Sequence, residues 1–300
     1  MERGMTFVEA PAKINLFLEV LDRRPDGYHD VRLVNQLVNL VDRIWFEPRG
    51  EGDDQIVVSG PFSSCVPEDP DANTVLRALA LMRERWPEIP SLTIKLEKNI
   101  PVGAGLGGGS SDAAAVAMKV PENYLVEGHR EDIIGCLGDV GSDMPFAAIG
   151  GTALVEGKGE KVTPVEFSFN SVHYLLLSPS IEVSTAWAYR ALDEIADRPR
   201  RDPDRLCDAL RRANYEGFAR SVWNAFEAVV FAEYPELGAL VSVMEEAGCD
   251  AAWMTGSGSN LLGLCRDEAA AGSVRKKLED EVDCPVTVVR PYLGSSGEKD

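Results

Sequence analysis

The chain has 300 residues, with 49 Asp+Glu against 30 Lys+Arg, a formal net charge of −19. Acidity on this scale excludes a nucleic-acid polymer or an anionic lipid surface as a partner, because both would be repelled. No apolar run approaches the ~18 residues of a membrane span. The N-terminal stretch lacks the apolar core of a signal peptide, so a cytoplasmic protein, monomer or homodimer, is expected. The six cysteines are scattered without a CxxC pair and the three histidines, His29, His129 and His173, are far apart. Reduced thiols and no histidine-rich metal site follow.

In chain order, Thr6–Val20 alternates in part: Ile14, Leu16 and Leu18 point one way, Lys13, Asn15 and Phe17 the other. That is a strand pattern, with Pro11 expected at its start or at a sheet edge. Val31–Leu40, Asp42–Glu47, Gln55–Ser59 and Ser91–Glu97 read as further strands. Thr74–Trp86 reads as a helix capped by Asn73 and stopped by Pro87. A second helix is expected from a Ser110 or Ser111 cap, and a third over Arg130–Leu137. Thr152–Glu156 and Val172–Ser178 are expected strands, and Ser184–Ile195 a helix entered through a Ser/Thr cap. Asp193–Arg212, dense in both charge signs, reads as a solvated helix pair and loop. Val222–Phe231 and Leu237–Ala247 are expected helices, the second ended by Gly248. Strands at Ala251–Thr255, Leu261–Cys265 and Pro285–Pro291, with a helix at Glu268–Glu281, complete a final sheet. Strands mixed with helices without regular βαβ alternation define an α+β fold. A composition break near Gly157–Thr163 places one domain over residues 1–160 and another over 161–293, with 294–300 a disordered tail.

The most informative segment is Pro101, Val102, Gly103, Ala104, Gly105, Leu106, Gly107, Gly108, Gly109, Ser110 and Ser111. Five glycines in seven residues suit backbone that must adopt left-handed angles or approach a ligand closely. The helix-forming run Ala113–Met118 follows at once, so free N–H groups feed a helix N-terminus, the arrangement of a phosphate cradle. Gly103, Gly105 and Gly108 satisfy G-x-G-x-x-G, but the loop lies a hundred residues into the chain. A dinucleotide fingerprint sits in a first βα turn, with an acidic residue ~20 positions on, and only Glu127 or Glu131 offers one, without a strand end nearby. The Gly-Lys-Ser/Thr of a Walker A loop and the companion motifs of protein kinases are absent.

This loop, read as P-x-G-A-G-L-G-G-G-S-S-D-A, resembles the ATP-binding motif of the GHMP kinases. Pro11-Ala-Lys-Ile-Asn-Leu16 resembles the N-terminal motif of that family, and Thr255-Gly-Ser-Gly-Ser-Asn260 its C-terminal glycine-rich motif. The resemblance implies two α+β domains with the active site in the cleft between them, ATP as phosphoryl donor and Mg²⁺ as its cation. It assigns Lys13 to the substrate hydroxyl and the transferred phosphoryl group, although a lone strand lysine is ordinarily a solvated edge charge. It makes Asp143, in Gly-Ser-Asp-Met-Pro, the catalytic base, where composition alone suggests an Asx turn or helix cap; Asp139 is the rival. Asn73 and Lys98 resemble positions near the adenine, and Ser110 or Ser111 a Mg²⁺ hydroxyl ligand. Within the family, Arg24-Pro-Asp-Gly-Tyr-His29 and Gly141-Ser-Asp-Met-Pro-Phe146 point to a branch acting on a cytidyl small molecule. Tyr28 and His29 would then stack on and hydrogen-bond the cytosine, with Tyr189, four residues after Thr185, as a second aromatic and Asn15 beside the substrate. A mevalonate-like or amino-acid alcohol substrate, or a non-catalytic nucleotide-binding protein, are the alternatives.

Overall fold

The computed structural model describes residues 5–50, 52–124 and 130–293. The tail expected to be disordered, together with Glu127 and His129, lies outside the described residues. The strands are β1 (Thr6–Arg23), β2 (His29–Pro48), β3 (Gln55–Ser59), β4 (Leu92–Glu97), β5 (Thr152–Gly157), β6 (Lys161–Pro164), β7 (His173–Leu177), β8 (Trp223–Asn224), β9 (Ala251–Met254), β10 (Leu261–Cys265) and β11 (Val286–Val289). The helices are α1 (Thr74–Arg85), α2 (Gly108–Tyr124), α3 (Arg130–Val140), α4 (Met144–Ile149), α5 (Thr185–Asp193), α6 (Asp204–Arg211), α7 (Tyr215–Ala219), α8 (Glu227–Glu233), α9 (Pro235–Ala247) and α10 (Glu268–Glu281).

Among the described residues two compact units form, one from residues 5–13 and most of 39–150, the other from 14–38 and 151–292. They differ from a single cut at residue 160 because β1 and β2 are long strands, and each gives one half to each unit. In the first unit, β2 pairs antiparallel with β4 (Ile44 opposite Leu96) and β3 pairs parallel with β4 (Ile56 opposite Ile94). Helices α1 to α4 bury Leu79, Met82, Val116, Val120 and Leu137 against Ile44, Phe46 and Ile94 of this sheet. In the second unit, β1 pairs parallel with β8, β2 pairs antiparallel with β5, and β5 with β6. A separate antiparallel sheet has the order β11-β7-β10-β9. Its Leu175, Leu177 and Leu261 pack with Leu237, Met244, Val274 and Leu278 from α9 and α10.

Local signals place many ends where expected. The Asn73 side chain caps α1 by accepting from Val75 N and Leu76 N, and Ser184 caps α5 by accepting from Trp187 N. Gly248, with φ of 117°, ends α9 in the left-handed conformation that glycine adopts without strain. Other expectations are corrected. The two strands expected at Val31–Leu40 and Asp42–Glu47 are one, because Asp42 is no turn residue: its carboxylate is buried and accepts from Asn99 N and Ile100 N. Pro11 lies inside β1, which is buried on both faces from Ala10 to Val20 and does not alternate with solvent. The helix expected over Val222–Phe231 is divided: Trp223–Asn224 joins β1 as β8, and the helix begins only at Glu227. α2 starts at Gly108, so Ser110 and Ser111 occupy its first turn and do not cap it. β6 arises within the supposed boundary, and α4 and α7 are too short for a periodic signal.

Candidate active site

In the first unit the glycine loop leaves β4 and turns through three left-handed glycines, Gly103 (φ 74°), Gly105 (φ 73°) and Gly107 (φ 65°). A Cβ on Gly107 would lie 2.8 Å from Lys13 Cγ, and Lys13 N donates to Leu106 O at 2.9 Å, so the loop closes directly on Lys13. Thr74 Oγ1, in the first turn of α1, donates to Gly109 O at 2.8 Å and anchors the far side. The first N–H groups of α2 have no intrahelical acceptor and carry the positive end of the helix dipole. Their position beyond a loop of positive-φ glycines suits them to phosphate oxygens.

Beneath the loop lies a buried ion cluster. Lys98 Nζ donates to Asp42 Oδ2 at 2.5 Å and to Asp112 Oδ2 at 2.6 Å, and all three side chains are at least nine-tenths buried. A Cβ on Gly108 would come within 3.0 Å of the same ammonium. Burial pushes the Asp112 carboxyl up to about 8, the Lys98 ammonium opposing and the Asp42 carboxylate reinforcing the shift. The direction of that shift disfavours a second full carboxylate charge in the cluster. The ammonium joins β2, the residue after β4 and the first turns of α2 beneath the loop. Lys98, expected at the adenine, thus turns its ammonium inward. Asn73 is also committed: besides capping α1, its Nδ2 donates to Pro67 O at 3.2 Å.

Lys13 and Asp143 come together in this unit, with Nζ 3.8 Å from Oδ2. The lysine is held in a strand buried on both faces and the aspartate side chain is about one-third exposed (36%). Asp143 occupies the N-cap position of α4, yet its side chain makes no capping hydrogen bond. The capping reading of this residue is therefore not the one its side chain adopts, and its carboxylate faces the lysine. Asp139 sits exposed on α3. Ser111 is buried and Ser110 half-buried, both in the first turn of α2. Among the described residues no group of three His, Cys, Asp or Glu side chains could hold a metal. The donor set fits Mg²⁺ carried on phosphate oxygens with a serine hydroxyl, and does not fit an all-protein cage.

In the second unit, Pro25-Asp26-Gly27 forms the expected turn: Gly27 has φ of 87°, Arg24 N donates to Tyr28 O at 2.7 Å, and Asp26 Oδ1 accepts from Tyr28 N. Tyr28 is 60% exposed, with Lys158 Nζ 5.7 Å from its ring centroid. His29 stacks on Tyr189 with ring centroids 4.8 Å apart and planes at 24°, and its Nε2 lies 2.8 Å from Asp193 Oδ1. Tyr189 in turn meets the Phe226 ring edge-on. Thr185 Oγ1 shares a hydrogen bond with Ser257 Oγ at 2.7 Å. Asp193 was missed by sequence reasoning; the available signal was its spacing of four from Tyr189, which puts both on one face of α5. Asn15 does not offer its side chain outward: Nδ2 donates to Asn35 Oδ1 and Oδ1 accepts from Gly256 N at 2.9 Å. It pins the 255–260 turn to β1. Packing also requires glycine at 258, where a Cβ would meet Met254 Sδ at 2.7 Å and φ is 91°.

A fold of this kind carrying a glycine loop with an adjacent lysine–aspartate pair defines a class of small-molecule kinase. The family description "GHMP kinases N terminal domain" matches residues 73–151 and "GHMP kinases C terminal" matches 190–284. The chain belongs to the GHMP kinase family. Curated relatives named 4-diphosphocytidyl-2-C-methyl-D-erythritol kinase include one from a Geobacillus species, 37% identical over 87% of this chain and 89% of its own. Another, from Acetivibrio thermocellus, is 36% identical over 93% and 97%. A crystal structure of 4-(cytidine 5'-diphospho)-2C-methyl-D-erythritol kinase aligns with a TM-score of 0.77 and 30% identity, covering 96% of this chain and all of that one. Homoserine kinase from Cytophaga hutchinsonii, at TM-score 0.74 and 17% identity over 97% of this chain and 96% of its own, shares the fold.

Proposed function

We propose that this protein transfers the γ-phosphoryl group of ATP to the 2-hydroxyl of 4-diphosphocytidyl-2-C-methyl-D-erythritol, giving the 2-phosphate and ADP, in the non-mevalonate route to isoprenoid precursors. The observation that carries the reading is the Lys13–Asp143 pair set against the glycine loop. Asp143 accepts the proton of the attacking hydroxyl. Lys13 stabilises the charge that develops on the transferring group. Backbone N–H groups at the start of α2 hold the phosphates, and Ser110 would hold Mg²⁺, which when bound neutralises phosphate charge. Around the base, Asp193 accepts from His29 Nε2–H, which leaves Nδ1 to accept from the cytosine amino group. The exposed Tyr28 ring offers a stacking face. The acidic composition and scattered thiols support a cytoplasmic setting.

Turnover of ATP with the cytidyl substrate tests this in wild type and Asp143→Asn. The variant is expected to lose ~10²-fold or more in kcat while ATP binding survives. An unchanged kcat overturns the mechanism. Turnover of mevalonate or homoserine, with none of the cytidyl alcohol, overturns the substrate assignment and leaves the kinase chemistry standing.

A further inference from the structure

The acidic surface of this chain is interrupted in the second unit. A cavity of about 810 Å³ opens between the segment leading into α6, the α6–α7 turn and β1, where Phe17 forms part of its wall. Arg200, Arg201, Arg205, Arg212 and Arg220 all line it. Two acidic residues, Asp202 and Asp208, line it too, but each is neutralised by an arginine that does not: Asp202 by Arg32 at 2.7 Å and Asp208 by Arg211 at 3.2 Å. Of the five arginines, Arg200 pairs with Asp22 at 2.7 Å and Arg201 lies 4.1 Å over the Trp223 ring. Arg205, Arg212 and Arg220 are exposed, and among the described residues no ion pair engages them.

Unpaired guanidinium groups gathered around one concavity repel each other, and a protein with 49 acidic residues has ample carboxylate to pair them. Leaving them unpaired costs stability unless an anion closes the set. The guanidinium fork matches phosphate oxygens two at a time, and several forks around one space favour an anion with many oxygens. The volume falls in the range of small-molecule sites.

We propose that this cavity is an anion site for a phosphate or diphosphate group, free or borne by a small organic molecule, built from Arg205, Arg212 and Arg220 with Arg200 and Arg201 at its border. None of these residues belongs to the glycine loop, so the site adds to the nucleotide cradle and does not depend on the substrate proposed above. It also gives the charged 193–212 stretch a purpose beyond solvation.

Inorganic pyrophosphate added to the full-length protein, followed by hydrogen exchange and calorimetry, tests the assignment. Peptides covering 198–221 are expected to gain protection, with an affinity that falls at least tenfold in Arg205→Ala/Arg212→Ala/Arg220→Ala and weakens with salt. The three side chains are exposed, so the variant should keep its melting temperature; if it does not, the matching triple lysine variant, which retains charge and loses the fork, replaces it and should bind several-fold more weakly than wild type. An alkyl diphosphate run beside pyrophosphate separates the sources: tighter binding assigns the site to an organic ester, equal or weaker binding to the free anion. Absence of protection over 198–221 in wild type, or equal protection in the variants, overturns the proposal.

Discussion

At 3.8 Å the Lys13 ammonium and the Asp143 carboxylate are ion-paired without sharing a short hydrogen bond, a geometry that suits the role of base proposed for Asp143. His29 is positioned differently, by a ring on one side and a carboxylate on its edge. Removing that carboxylate in Asp193→Ala frees the imidazole to rotate and to change tautomer. Steady-state kinetics of this variant should show KM for the cytidyl substrate raised about tenfold, with kcat and the KM for ATP changed far less; equal losses in all three would point to misfolding. Asp112 has a different signature. Burial raises its folded carboxyl to about 8, above its unfolded value, so the stability it supports is full at low pH, falls as pH rises from about 4 and is gone once pH passes about 8. Glu227, raised to about 7 mainly by burial, acts in the same direction. Denaturation midpoints measured from pH 5 to 9 should fall less steeply in Asp112→Asn than in wild type, by up to about 1.4 kcal/mol per pH unit in the window.

Two elements depend on single positions. The start of α2 requires glycine at 107, where φ is 65° and a side chain would strike Lys13 Cγ. Gly107→Ala should cost about 1–2 kcal/mol of stability. It should also lower kcat/KM for ATP by an order of magnitude or more, because it displaces the loop and the lysine together. The start of α1 depends on the Asn73 cap, whose loss in Asn73→Ala should cost about 1 kcal/mol in urea denaturation. The ATP affinity of that variant separates a cap from an adenine ligand, because an indirect effect through α1 would be small. The start of α1 was legible because a cap is local chemistry, whereas α2 was expected from a Ser110 or Ser111 cap and begins at Gly108. The β1 and β2 strands were misjudged for the opposite reason. Lys13 reads by itself as a solvated edge charge and Asp42 as the start of a new strand, whereas both are buried and bonded to partners that are distant in sequence.

Across the whole molecule the charge of −19 sets a background of self-repulsion that salt screens. Melting temperature should rise as salt increases from about 0.05 to 0.5 M; a fall would mean that ion pairs such as Arg83–Asp54, and not repulsion, dominate. The segment proposed as phosphate cradle is shielded from this background by its composition, since residues 99–118 hold one charged side chain, Asp112, and burial raises that carboxyl above the usual carboxylate range.

The glycine loop, the caps of α1 and α5, and the order of the three family motifs were determined by the sequence itself, because each depends on backbone conformations and hydrogen bonds within a few residues. What the side chains of Lys98, Asn15 and Asn73 do was decided only by tertiary structure. Residue type states that an ammonium or an amide needs partners, but burial selects them. Lys98 meets Asp42 across 56 positions and Asn15 meets Gly256 across 241. The gathering of arginines from 200 to 220 around one cavity was decided in the same way. A charge run is alike in sequence whether it faces water or encloses a site, and only folding shows which of its charges are left without a partner.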